Sequence, residues 1–180
     1  INIVYGDSTK NLAQSVEANV QSSQEEVNAN LKEIENELKK YPAAVFEIFK
    51  GKKYPLKIVL VDSFNNNNLA LTSKSNLNDF KIYISNTKKF SKALHHEMYH
   101  VLEYYMSDTH KYLYKSWYHL NPEGFRYVSD ISKLDDEYVY MKLTDGEQNV
   151  SIYDKVINPY FVTLYSKTTE REDRAEVFSE

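Results

Sequence analysis

Cysteine is absent from this chain, which removes disulfides, thiolate metal ligands and cysteine nucleophiles from consideration. Glycine and proline are scarce, with four of each in 180 residues, so long stretches run without a helix breaker. No apolar run approaches the roughly 20 residues that a membrane-spanning helix needs. Basic residues gather into no stripe and the net charge is −4, a balance that speaks against a nucleic-acid partner. The chain starts at Ile1 without Met, and a trimmed or mature form lacking a signal peptide is the expectation. Its length suits one domain over residues 1–180, expected to be monomeric, with a real core.

What is present is a cluster of histidine. All five His of the chain fall between His95 and His119. Leu94-His95-His96-Glu97-Met98-Tyr99-His100 contains H-E-x-x-H, formed by His96, Glu97 and His100. On a helix, positions i and i+4 share a face, so the two imidazoles can converge on one metal ion. Glu97 then stands beside that ion, where a carboxylate can take a proton from a metal-activated water. The flanks support a helix. Phe90, Leu94, Met98, Val101, Leu102 and Tyr105 recur at spacings of three and four, and no Gly or Pro interrupts residues 88–106. Thr87 is the expected N-cap. A chance match on a surface helix is the alternative. His95 faces about 100° away from His96 and reads as a packing or surface residue.

A zinc site needs a third protein ligand and keeps one position open. The metzincin spacing is excluded, because Glu103 and Met106 stand where Gly and His are required. The candidate third ligand lies near the C-terminus, in Tyr165-Ser166-Lys167-Thr168-Thr169-Glu170-Arg171-Glu172-Asp173-Arg174-Ala175-Glu176-Val177-Phe178. This segment reads as a loop entering a helix, with Thr168 or Thr169 as cap. Glu172 and Glu176 are i and i+4. The division of labour would be ligand for Glu172 and supporter for Glu176, which accepts an N–H bond from a ligating His. An ordinary acidic helix start is the competing explanation. His110 and His119 read as ordinary surface residues, with either as the alternative third ligand in place of Glu172.

H-E-x-x-H followed by Tyr165, six residues and Glu172-x-x-Ala175-Glu176-x-Phe178 resembles the gluzincin peptidases. Within them it is similar to the catalytic domain of anthrax lethal factor and to the secreted bacterial Pro-Pro endopeptidases. The resemblance covers two short segments, about a sixth of the chain. It implies a zincin-like α+β fold, with a small mixed sheet packed on the active-site helix. It implies one Zn2+ held by His96, His100 and Glu172, with Glu97 as general base, Tyr165 donating to the oxyanion and Glu176 behind the ligands. The implied activity is a zinc-dependent endopeptidase that hydrolyses peptide bonds in a protein or peptide substrate, in a secreted or cell-surface bacterial protein. In zincins an edge strand holds the substrate, so residues 69–73 or 80–85 are expected to border the cleft. Tyr99 departs from the Gly usual before the second His, and the stretch between His100 and Glu172 is longer than in those relatives. A catalytically inactive zincin-fold binding module is the rival reading. A helical interaction module carrying an accidental H-E-x-x-H is another.

Residues 9–40 lack Gly and Pro and carry Leu12, Val16 and Val20, then Val27, Leu31, Ile34 and Leu38. They predict a long N-terminal helical segment ahead of a core over residues 54–180. Ser23 with Glu26 forms a capping-box pattern inside it, a point at which two helices could abut. Strands are expected at Asn2-Ile3-Val4-Tyr5, at residues 56–61, from Leu69 onward and at residues 80–85, with a short helix over residues 43–50 closed by Gly51. A further helix is expected over residues 109–119 and a hairpin around Thr144-Asp145-Gly146.

Overall fold

A computed structural model describes residues 1–20, 23–51, 53–65, 68–75, 79–86, 90–109, 117–127 and 160–180. It is a mixed α/β protein with a small sheet, compatible with the α+β class. Two compact units divide it, Ile1–Tyr105 and Met106–Glu180.

The sheet belongs to the first unit. Its strands are β1 (Asn2–Val4), β2 (Ala18–Val20), β3 (Leu56–Phe64), β4 (Ala70–Lys74) and β5 (Phe80–Ser85). The order is β1-β3-β5-β4. β3 and β5 run parallel from Leu56 opposite Phe80 to Val61 opposite Ser85. β4 runs antiparallel to β5 at the end of the order. The other edge of β3 is shared. Its first half pairs with β1 in parallel and its last residues pair with β2 antiparallel.

Alternation explains how β3 is buried on both faces. Leu56, Ile58 and Leu60 join Phe80, Ile82 and Ile84 in one core cluster with Ile34, Phe90, Leu94, Met98 and Val101. Val59, Val61 and Tyr83 face the other way, with Ala13 and Phe64. A parallel pair covered on both sides needs a nearly continuous apolar run, and Leu-Lys-Ile-Val-Leu-Val supplies it. The covering helices of the first face are α2 (Gln24–Leu38) and α4 (Phe90–Thr109), while α1 (Lys10–Gln14) lies in the segment covering the second. A short helix, α3 (Ala43–Ile48), links α2 to the sheet.

The long N-terminal helical segment expected over residues 9–40 is corrected. It divides into a 3-10 turn (Gly6–Thr9), α1, β2 and α2. Glu17 takes a positive φ of 54°, which ends any helical path there. The spacing of Val16 and Val20 fits one helical turn, but it also fits two steps of a strand. Pairing with β3 decides for the strand, and Val16, Ala18 and Val20 pack on the second core cluster. Ser23 does cap α2, its hydroxyl accepting from the Glu26 N–H at 3.4 Å. Thr87, the hairpin around Thr144-Asp145-Gly146 and most of the helix expected over 109–119 lie outside the described residues. The end of that last stretch, Trp117–Leu120, is a 3-10 turn. No helix among the described residues is long and apolar enough to cross a membrane.

The second unit contributes Trp117–Leu120, a 3-10 turn at Tyr165–Lys167 and a closing helix, α5 (Glu170–Phe178).

Candidate metal centre

The residues of H-E-x-x-H stand in the middle of α4. Phe90, Leu94, Met98 and Val101 are locked into the core with at most 1% exposure, so the helix has no freedom to roll. That anchoring presents the next face. His96, Glu97 and His100 are 8%, 8% and 7% exposed. The two imidazole Nε2 atoms lie 3.1 Å apart, with the rings edge-on at 83°.

Two tethers hold this turn of α4. The Thr72 hydroxyl of β4 donates to the backbone carbonyl of Glu97 at 3.1 Å, tying the edge strand to the helix beside the general-base candidate. His95 faces α2 instead. Its Nδ1 lies 2.7 Å from the Tyr41 hydroxyl and its Nε2 lies 2.7 Å from Glu37 Oε2. One turn earlier, Ser91 donates to Glu33 at 2.8 Å. Positions 33 and 37 of α2 thus pair with 91 and 95 of α4, an i, i+4 ladder matched on both helices. Burial and the nearby Glu37 charge raise the Tyr41 phenol well above its usual range.

In the second unit, α5 starts as its sequence requires. Thr169 is the N-cap, its hydroxyl accepting from the Glu172 N–H at 3.1 Å. Glu170, Glu172 and Asp173 fill the first turn, where the helix dipole favours acids. Glu172 is half-buried and Glu176 is 3% exposed. Glu176 Oε2 accepts from the Thr163 hydroxyl at 2.9 Å. Tyr165, half-buried, opens the 3-10 turn ahead of α5, and the Thr168 hydroxyl donates to its carbonyl at 2.7 Å.

Among the described residues, His96 and His100 of the first unit offer two imidazole donors from one face of α4, and Glu172 of the second unit offers a carboxylate in the first turn of α5. His119 is exposed in its 3-10 turn. His110 lies outside the described residues.

Sequence reasoning missed several residues around these positions. Glu103 is 2% exposed, one turn after His100 on α4, and its spacing of seven from His96 was the available signal. Asp173 is equally buried, its Oδ2 accepting from the Trp117 indole at 2.9 Å and the Tyr127 hydroxyl at 2.8 Å. Burial pushes this carboxyl above its usual range, against the pull of those two donors. Thr72, Thr163 and Ser166 carry no signal in the sequence, because an isolated hydroxyl is common anywhere.

No protein-family model matches this chain, and neither curated proteins nor solved structures yield a match.

Proposed function

We propose that this protein is a zinc-dependent endopeptidase of the gluzincin type and zincin-like fold, secreted or at the cell surface, which hydrolyses peptide bonds in a protein or peptide. The observation that carries the reading is the pair of imidazoles. Two ligand atoms about 2.0–2.1 Å from a tetrahedral zinc stand about 3.3 Å apart, and the His96 and His100 Nε2 atoms are separated by 3.1 Å. Two imidazole nitrogens and one carboxylate oxygen are a donor set that suits zinc and leaves a fourth position open. His96, His100 and Glu172 would hold the ion.

Bound zinc polarises a carbonyl and lowers the pKa of a water from about 15.7 to about 7. The remaining work falls to side chains of this chain. Glu97 takes the proton of the attacking water and delivers it to the leaving amine, a service worth about a hundred- to ten-thousandfold in rate. Tyr165 donates its phenol proton to the carbonyl oxygen as charge develops there. Glu176 accepts an N–H bond from a ligand imidazole and fixes its tautomer. β4, antiparallel at the end of the sheet and bonded to Glu97 through Thr72, offers an extended substrate the edge to add to.

The experiment is cleavage of a diverse peptide library by the whole protein with zinc, with chelator and as Glu97→Ala. Cleavage should need zinc and fall at least about a hundredfold in Glu97→Ala, while zinc content by native mass spectrometry stays at one ion. A protein that holds zinc and peptide but cuts nothing would be the binding-only scaffold. Unchanged cleavage in Glu97→Ala would discard the mechanism.

A further inference from the structure

The loop before α5 contains a closed knot of hydroxyls that the reading above does not use. Thr163 and Ser166 are both fully buried and meet in three polar contacts. The Ser166 N–H donates to Thr163 Oγ1 at 3.2 Å, and the two hydroxyl oxygens lie 3.3 Å apart. The Thr163 N–H donates to Ser166 Oγ at 3.4 Å. A threonine hydroxyl has one proton, and here it goes to Glu176 Oε2 at 2.9 Å. The Ser166 hydroxyl proton therefore points into Thr163 Oγ1. The result is a directed chain: Ser166 donates to Thr163, and Thr163 donates to Glu176.

This chain has a consequence for two separate groups. Tyr165 sits inside the knot, between Thr163 and Ser166, so its backbone is fixed from both sides. Glu176 lies one helical turn after Glu172 on α5. Every donor in the chain is buried, and in such a place a lost partner is not replaced by water.

We propose that Thr163, backed by Ser166, is a positioning residue that orients the Glu176 carboxylate and, through the same hydroxyl, fixes the turn bearing Tyr165. The proposal rests on the zinc-peptidase reading, in which Glu176 steadies a ligand imidazole. Thr163 acts through another group and touches neither substrate nor metal.

The test compares wild type, Thr163→Val and Thr163→Ser as whole proteins. The zinc dissociation constant is measured by competition with a chromophoric chelator, and thermal unfolding is followed without metal. Thr163→Val keeps the shape and deletes the donor, so zinc binding should weaken by about tenfold. Thr163→Ser restores the donor and should return affinity close to that of wild type. A role in packing alone would give the opposite pattern, since Val fills the site better than Ser. Equal zinc affinity in Thr163→Val and wild type overturns the proposal and leaves the peptidase reading standing. A wild-type protein that binds no zinc sinks the reading and the proposal with it. Should Thr163→Val not fold, Ser166→Ala carries the test. It removes the donor behind Thr163 and should weaken zinc binding by a smaller, measurable factor, and unchanged affinity overturns the proposal.

Discussion

The helices α4 and α5 each carry residues of the candidate centre, and they are held by different physics. α4 is fixed by hydrocarbon. Its Leu94, Met98 and Val101 are fully enclosed by Ile58, Ile82, Ile84 and other sheet residues in one apolar cluster. α5 has almost no hydrocarbon to offer. Its buried positions are Asp173, Arg174, Ala175 and Glu176, and three of those four are ionisable. Each has a named polar neighbour: Trp117 and Tyr127 on Asp173, Glu170 paired with Arg174 at 2.8 Å, and Thr163 on Glu176. Apolar packing is non-directional and tolerates small shifts, while a buried polar network is specific and fails sharply when one member is lost. The first region is built for stability and the second for orientation.

That contrast can be broken by mutating each side. The largest expected effect on stability is in α4. Leu94→Ala opens a cavity against β3 and β5, and should cost about 2–5 kcal/mol by urea unfolding. On the proposed zinc-peptidase reading, affinity for added zinc should change little, because Leu94 is a packing residue and not one of the proposed ligands. A loss below about 1 kcal/mol would mean that the cluster does not anchor the helix, and the apolar half of the comparison would fall.

A smaller effect is expected in the second unit. Asp173→Ala strips the acceptor from the Trp117 indole and the Tyr127 hydroxyl, leaving part-buried donors without it, at about 1–3 kcal/mol. Asp173→Asn keeps an acceptor oxygen and removes a carboxyl that burial already disfavours as an ion, so its cost should be lower than that of alanine. Unfolding midpoints of the two variants, taken side by side, sharpen the contrast. If asparagine proves as costly as alanine, charge rather than hydrogen-bond geometry holds this segment.

The same contrast explains what can be read from the sequence. α4 and β5 are legible because burial on one stripe, or on alternate residues, leaves a period in the string. Residues 80–85 are β5 at those bounds. β2 is not legible, since Val16 and Val20 obey two periods at once and only β3 chooses between them. His96, Glu97 and His100 announce themselves by spacing within one helix. The polar knots leave no such trace. Asp173 is 56 residues from Trp117, Glu37 is 58 from His95, and nothing in either local segment names its partner. Directional pairing between distant residues is fixed by the fold, so it becomes visible only with the fold.

The smallest expected effect concerns the polar seam between α2 and α4, where the two kinds of holding meet. Glu37 lies against Lys40, in the turn just past the end of α2, and His95 on α4, with the Tyr41 hydroxyl bonded to the same imidazole. Its carboxyl is lowered from the ordinary 4.5, chiefly by the hydrogen bond from Lys40 and, beyond that, by His95, against an opposing push from burial. A carboxyl lowered by folding contributes stability that is present above its unfolded pKa and is lost as pH falls through the folded value. Wild type should therefore lose up to about 1 kcal/mol more than Glu37→Gln between pH 6 and pH 3, read as converging urea midpoints. Glu37→Gln keeps a hydrogen-bonding group beside His95, so the ladder geometry survives while the charge is gone. Parallel loss in the two proteins would show that the seam holds α4 by shape alone. The seam would then join the apolar side of the comparison rather than the polar one.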